Sequence, residues 1–201
     1  PLTTGGGRES TRARWHREGL PADIAPGAIP EYAYRQAGGT LPWPEGGEGF
    51  GVNERLIPYF EEKVLERRES SLVVQDWKGN VCEISDEYDT NYLRNAIDFV
   101  TRRWIRCPVE TRADWQALQQ RYDADDPTRL PDDAAARGAR LAQRDHWVGL
   151  HFSGPFWQLR EWVGFEGLCI MMKDDPAFVH EMAEFWKEHV ARLLERALEH
   201  V

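Results

Sequence analysis

The chain has 201 residues, 41% of them hydrophobic and 11% aromatic, which is enough for one globular core with a charged surface. Its formal net charge of -9 argues against nucleic acids and anionic membranes as partners, because both bind clustered basic surfaces. No apolar run approaches the ~20 residues that cross a bilayer, and no signal segment opens the chain. Cys82, Cys107 and Cys169 lie far apart, so their spacing indicates neither a disulfide framework nor a zinc site. These features predict a cytoplasmic protein.

The first fifty residues contain one short helix and a long irregular segment. Ser10 or Thr11 can cap a helix that runs through Arg17, and Gly19 follows as a stop signal. Residues 21–53 hold seven glycines and five prolines with few aliphatic side chains, which predicts an irregular excursion. A loop of this length inside a compact domain is usually functional or mobile.

A β-hairpin is predicted over residues 70–86. Residues 72–77 and 81–84 are β-prone and flank Lys78, Gly79 and Asn80, a typical turn sequence. Hairpins are antiparallel, so we interpret this one as an insertion beside a parallel sheet. The aromatic and arginine-rich residues 91–106 that follow are compatible with either helix or extended chain.

Helical patterns dominate the second half of the chain. Thr111 and Asp114 imitate a capping box, and the helix that follows would bury Trp115, Leu118 and Tyr122 on one face. Residues 132–144 are rich in alanine and also predict a helix. The clearest helix starts at Asp175 and Pro176 and carries an apolar stripe of Phe178, Val179, Met182, Phe185, Trp186, Val190, Leu193 and Leu194.

Residues 147–176 are the most informative stretch, because they predict a buried strand, a Gly-Pro turn and two helices. Ligands of parallel α/β folds bind in the loop after a strand's carboxyl end, where His151, Ser153 and Gly154 lie. His151 alternates with Leu150 and Phe152, so it would face the opposite side of the strand and act as acid, base or metal ligand. The alternative is a histidine satisfied within the core.

The Ser153-Gly154-Pro155 turn offers free backbone N–H groups beside a helix start, which suits a carboxylate or phosphate. An ordinary strand-to-helix turn explains the same residues equally well. Trp157 and Trp162 can stack on a flat ligand or belong to the core.

Five stretches in the same order resemble the uroporphyrinogen decarboxylase superfamily, which includes the haem-pathway decarboxylase and the corrinoid-dependent methyltransferases. They are FEEKVLE at 60–66, VQDWKG at 74–79, PVETRADW at 108–115, FSGPFWQLREWVGFEG at 152–167 and DDPAFVHEMAEFWKEHV at 174–190. The resemblance implies a (β/α)₈ TIM barrel, which usually needs about 250 residues. The chain starts at Pro1 without Met and ends at Val201 within a helical pattern. We therefore expect residues 1–201 to form a single incomplete barrel domain, the N-terminal half.

The chain differs from the decarboxylase branch of the superfamily at the substrate-binding positions. Trp162 stands where that enzyme has a substrate-facing tyrosine, and the run from Arg35 to Gly39 lacks the second of two carboxylate-binding arginines. Asp76, within QDWKG, is the weak counterpart of its substrate-facing aspartate. These residues would therefore bind a porphyrinogen with four carboxylates poorly.

The methyltransferase branch matches better, through Pro155, Gly164, Glu166, Pro176, Val179 and His180. The resemblance implies a corrinoid protein as partner and a zinc ion that activates a thiol, with zinc ligands in the C-terminal half. His180 itself is expected to be structural.

Together these observations predict an α/β enzyme that handles a methyl or carboxyl group on a small or tetrapyrrole-linked substrate, with corrinoid-linked methyl transfer favoured. His151 and Asp76 are the predicted catalytic residues, and no metal ligand is predicted. The predicted substrate-binding residues are Arg35, Ser153, Gly154 and Trp162. Two alternatives stay open: uroporphyrinogen III decarboxylase, and a non-catalytic half-barrel that assembles as a homo-oligomer or with a partner, because a half-barrel exposes strand edges and an apolar flank.

Overall fold

A computed structural model describes residues 7–39, 48–95 and 100–201, and these have a mixed α/β architecture. The helices in these ranges are α1 (Glu9–Arg17), α2 (Ile29–Gln36), α3 (Thr90–Asn95), α4 (Arg112–Gln119), α5 (Ala134–Leu141), α6 (Pro155–Val163), α7 (Phe165–Asp174) and α8 (Pro176–Leu198), with 3₁₀ turns at Pro26–Ala28 and Pro127–Arg129. The strands are β1 (Glu48–Gly49), β2 (Lys63–Arg67), β3 (Ser71–Gln75), β4 (Val81–Ser85), β5 (Arg103–Arg106) and β6 (Val148–Gly149). Within the described ranges they form two separate sheets and no closed barrel.

The larger sheet is antiparallel, in the order β2-β3-β4-β5. Strands β3 and β4 form a hairpin at the predicted turn, with Leu72 opposite Ile84 and Val74 opposite Cys82. These four side chains are buried on one face of the sheet, and Val73 on the other face of β3 is also buried. Gly79 has a φ of +88° in this turn, a conformation that L side chains rarely adopt, so the turn needs glycine. The hairpin therefore belongs to a four-stranded sheet.

The smaller sheet pairs β1 with β6 in parallel, with Glu48 opposite Val148 and Gly49 opposite Gly149. The Phe50 amide donates to the Gly149 carbonyl at 3.1 Å and extends the pairing by one residue. The two strands lie 100 residues apart in sequence, so no local pattern indicates this pairing. Because the strands are parallel, the loops that follow them leave the sheet at the same end.

Three indoles occupy the centre of the helical core, where α4, α6 and α8 meet. Trp115, Trp162 and Trp186 are almost completely buried, and the rings of Trp115 and Trp162 lie 4.9 Å apart. Burying each such side chain stabilises the fold by roughly 2–3 kcal/mol. These contacts cover most of the predicted apolar stripe of α8, whereas Leu194 at its end is 37% exposed.

Several predicted elements are confirmed in detail. Helix α1 covers the predicted residues, although its N-cap is Arg8 instead of Ser10 or Thr11. Thr111 and Asp114 form the capping box of α4, and the Asp175 carboxylate caps α8 by accepting from the Phe178 amide.

Two stretches differ from expectation or were left open. Residues 29–36, within the segment predicted to be irregular, form α2, because Pro30 suits the first turn of a helix and Ile29 is buried. Part of the same segment, residues 40–47, lies outside the described residues. Residues 91–106 contain both alternatives, since α3 ends at Asn95 and β5 starts at Arg103.

Candidate functional site

One pocket lies where the loops after β1 and β6 meet. Its volume is about 240 Å³, and residues from both loops, the β3–β4 turn, α6 and the segment just after α4 line it. Ser153 and His151 come from the loop after β6, and Glu54 and Arg55 come from the loop after β1. We name this cavity the Ser153 pocket.

A carboxylate joins the two loops. The Ser153 amide donates to Glu54 Oε2 at 2.8 Å, and the Ser153 hydroxyl donates to Glu54 Oε1 at 2.8 Å. Hydrogen bonds to an ionised acceptor are roughly twice as strong as neutral ones. Both oxygens of Glu54 are thereby engaged, and the carboxylate occupies the place at the turn that the sequence suggested for an external anion.

A buried arginine shapes the loop that carries Glu54. Arg129 has no exposed surface, and its Nη1 atom donates to the carbonyls of Asn53 at 3.1 Å and Arg55 at 2.6 Å. Burial lowers the pKa of Arg129 from its ordinary value. Backbone carbonyl oxygens accept the hydrogen bonds of this guanidinium, so Arg129 stabilises the loop conformation and is not available to a ligand.

Helix α8 supports both loops from behind. His189 Nε2 lies 3.3 Å from the Glu54 carbonyl, and the Trp186 indole N–H donates to the Ser153 carbonyl at 2.8 Å. Burial lowers the pKa of His189 to about 4, with the charge of Arg129 as the next cause, so this imidazole is neutral at physiological pH. The Glu54–Ser153 pair is therefore stabilised by its own two hydrogen bonds and by the contacts of Trp186 and His189 with the backbone of the two loops.

Aromatic rings and charges form the walls. Two cations lie over the Trp77 ring, with the Arg55 guanidinium 5.4 Å and the Lys78 ammonium 5.2 Å from its centre. Lys78 also forms an ion pair with Glu161 of α6, which joins the β3–β4 turn to that helix. The wall thus combines a flat apolar surface with a paired cation and an exposed one.

The floor of the pocket consists of Tyr122 and Trp162. The Trp162 indole N–H donates to the Tyr122 hydroxyl at 2.9 Å, and Gln158 Nε2 lies 3.4 Å from the same oxygen. Burial raises the pKa of Tyr122 well above its ordinary value, so the phenol keeps its proton. The floor therefore presents a neutral hydroxyl beneath the charged wall.

The structure brings three of the predicted site residues together. His151, Ser153 and Trp162 all line the Ser153 pocket, with His151 on the exposed side and Trp162 buried. Gly154 is the N-cap residue of α6, directly beside them.

The other two predicted residues lie outside the lining of this pocket. Asp76 is 2% exposed and accepts from the amides of Lys78 and Asn80 at 2.9 Å, which closes the β3–β4 turn. Its second oxygen lies 3.4 Å from Arg102. Arg35 is exposed on α2 and forms an ion pair with Glu31 one turn earlier. Each has a local partner that accounts for its position.

Sequence reasoning missed Glu54, Arg55, Tyr122, Arg129 and His189. The sequence pattern predicts Tyr122 only as part of the apolar face of α4, which in fact ends at Gln119, and it does not single out His189. Glu54 and Arg55 follow a glycine-rich stretch without any motif, and Arg129 sits in a loop where an exposed arginine is the ordinary expectation. Glu54 is an acidic residue shortly after Gly49 and Gly51, but this arrangement matches no known motif, so the sequence offered no specific signal for it.

Comparison of this chain with protein-family models, with characterised proteins and with solved structures gives no match. In the described ranges, no group of three or more His, Cys, Asp or Glu side chains could hold a metal ion. No helix in the same ranges is long and apolar enough to cross a bilayer.

Proposed function

We propose that this chain is part of a (β/α)₈ barrel of the uroporphyrinogen decarboxylase superfamily and that the enzyme acts on a methyl or carboxyl group, with corrinoid-linked methyl transfer favoured. One observation carries the proposal: two parallel strands send their carboxyl-terminal loops into one pocket, where Ser153 and Glu54 meet. Substrates of parallel α/β enzymes bind at this end of the sheet. The resemblance of residues 152–167 to the superfamily falls on the same loop and on α6.

Methyl transfer is favoured over decarboxylation of uroporphyrinogen III for two reasons. A cavity of about 240 Å³ is smaller than the roughly 300–1,000 Å³ typical of pockets for drug-sized ligands, and a tetrapyrrole with four carboxylates is larger than those. Arg35, the counterpart of a carboxylate-binding arginine, pairs with Glu31 on α2 instead. A small substrate is therefore the better fit.

His151 is the proposed acid or base, because it lies on the exposed side of the pocket where a substrate can reach it. Ser153 and Glu54 fix the two loops in one geometry, and Trp77 provides a flat surface for the substrate. The described residues do not fit the zinc ion that the resemblance implies, since no ligand group is present among them. No step of the proposal depends on that ion.

The test is a pair of assays on the protein: loss of methyl groups from methylcobalamin with a thiol acceptor, followed by absorbance, and release of CO₂ from uroporphyrinogen III. We expect methyl transfer, and a decrease of about 100-fold in His151→Ala, the lower end of general acid–base contributions. His180→Ala is the matched control, because His180 is also exposed but lies on α8 outside the pocket. CO₂ release without methyl transfer would move the proposal to the decarboxylase branch, and equal rates in both variants would remove His151 from the mechanism.

A non-catalytic assembly role is the second candidate, and an exposed apolar surface favours it. Trp104 and Ile105 on β5 and Phe165 and Ile170 on α7 are all about half exposed, which is unusual for a contiguous patch on a monomer. A stable dimer in light scattering, together with no turnover in either assay, would favour this candidate over the enzyme.

A further inference from the structure

Arg55 is a cation without an anion. Its guanidinium lies over the Trp77 ring at the mouth of the Ser153 pocket, and in the described ranges no carboxylate lies within ion-pair distance of it. The other charges that line the pocket walls are engaged: Glu54 accepts from Ser153, and Lys78 pairs with Glu161. Of the arginine and lysine side chains that line the pocket, only Arg55 has no ion-pair partner in the described ranges.

Tyr122 is a hydroxyl without an acceptor. The phenol is 5% exposed and lines the floor, and its oxygen accepts from the Trp162 indole N–H at 2.9 Å. Trp162 can only donate, and the other neighbour is the Gln158 side-chain amide, whose nitrogen lies 3.4 Å away at the long end of hydrogen-bond distances. In the part of the chain that the structure describes, no oxygen accepts the Tyr122 proton. A buried hydroxyl usually finds an acceptor, so this proton is available to a ligand.

We propose that the Ser153 pocket binds a small oxo acid, whose carboxylate pairs with Arg55 at the mouth and whose carbonyl oxygen accepts from the Tyr122 hydroxyl at the floor. The assignment rests on the proposed location of the substrate site, and it adds the chemical class of the ligand. A guanidinium pairs with a carboxylate through two parallel hydrogen bonds, which a neutral ligand cannot provide.

The size and shape of the cavity agree with this class. A volume of about 240 Å³ corresponds to on the order of ten non-hydrogen atoms, since each water molecule in the liquid occupies about 30 Å³. The apolar ring of Trp77 and the side chain of Leu56 lie along the wall between mouth and floor. They suit the short hydrocarbon spacer of an oxo acid.

A matched set of three probes tests the proposal on the wild-type chain. Levulinate carries a carboxylate and a ketone, pentanoate carries only the carboxylate, and 2-pentanone carries only the ketone. Binding is measured by NMR titration at about pH 7.5, where the carboxylates are ionised. We expect levulinate to bind about 10-fold more tightly than either single-group probe, since each missing hydrogen-bonded contact is worth about that factor.

Two variants assign the contacts. Arg55→Gln should reduce levulinate affinity by about 10-fold or more and leave 2-pentanone unchanged, whereas Tyr122→Phe should weaken levulinate and leave pentanoate unchanged. Arg160→Gln is the matched control, because the Arg160 guanidinium also lies over an indole, that of Trp157, but Arg160 does not line the pocket. Arg55 is exposed, so its variant is informative even if Tyr122→Phe fails to fold.

Two results would overturn the proposal: equal affinities for levulinate and pentanoate in the wild type, or no saturable binding of levulinate up to about 100 mM. An equal loss in Arg55→Gln and Arg160→Gln would also count against it. The experiment needs neither a corrinoid nor turnover, so selective levulinate binding without methyl transfer would support the ligand class while contradicting the proposed activity.

Discussion

At the scale of single residues, the site depends on side chains that bind backbone. Arg129 and His189 both contact carbonyls of the loop after β1, and Trp186 contacts the carbonyl of Ser153. A buried carbonyl that loses its donor costs about 1–3 kcal/mol. These contacts fix the backbone that carries Glu54, in addition to the hydrogen bonds between Ser153 and its carboxylate.

Arg129→Met should destabilise the protein by about 3 kcal/mol or more, because it leaves the carbonyls of Asn53 and Arg55 buried without a donor. Urea unfolding followed by circular dichroism measures the change. The control is Arg192→Met, which removes an exposed ion pair with Asp125 and should leave the midpoint nearly unchanged. Similar midpoints for the two variants would contradict the structural role of Arg129.

Among the helices, close packing can favour a glycine even where alanine has the better helix propensity. Gly138 lies within α5, where alanine is intrinsically better by about 1 kcal/mol. A Cβ atom at this position would stand 1.9 Å from the carbonyl oxygen of His200, just beyond α8. The glycine thus lets the end of α8 approach α5.

Gly138→Ala should therefore lower the free energy of unfolding, by about 1–3 kcal/mol as for other overpacked cores, in spite of the gain in propensity. Gly167→Ala in α7 is the matched control, because its Cβ would meet only the side chain of Val163 at 3.3 Å. Thermal unfolding of both variants tests the difference. An unchanged or higher melting temperature for Gly138→Ala would show that α5 and α8 do not approach each other as described.

At the scale of the whole molecule, α8 links the helical core to both loops of the Ser153 pocket. His189 is central to this link: it stacks on Phe185 and Trp186, meets Tyr122 edge to face, and is 4% exposed. Arg129 is a nearby cation, while Asp123 opposes its effect on the imidazole. A proton on His189 would bury a second positive charge beside Arg129.

Stability should consequently fall in mild acid through His189. Its pKa is about 4 in the folded protein and about 6.5 in an unfolded chain, so the unfolded state binds more protons between these values. The contribution is complete above about pH 6.5 and is lost as the pH falls towards 4, up to about 3 kcal/mol. Urea unfolding at several pH values should show a weaker pH dependence in His189→Gln than in the wild type. His180→Gln, on the exposed surface of the same helix, should behave like the wild type.

Local sequence patterns are sufficient to predict several caps and turns of this protein. The Thr111–Asp114 capping box, the Asp175–Pro176 start of α8 and the Lys78–Asn80 turn are all as predicted, because caps and turns depend on residues within four positions of each other. The sequence also placed Ser153 and His151 at the pocket, but the buried strand predicted there is only Val148–Gly149 and is half-buried, so His151 lies in the loop after it and not within a strand.

The composition of the site, in contrast, depends on contacts between distant parts of the chain. The β1–β6 pairing, the Glu54–Ser153 contact and the buried Arg129 join residues separated by about 75 to 100 positions, and no periodicity within one element encodes such a contact. Asp76 and Arg35 were selected as single polar residues in informative stretches, yet neighbours close in sequence already satisfy them. Within the described ranges, the lack of an ion-pair partner at Arg55 and of an acceptor at the Tyr122 hydroxyl can be recognised only from the folded neighbourhood of each side chain.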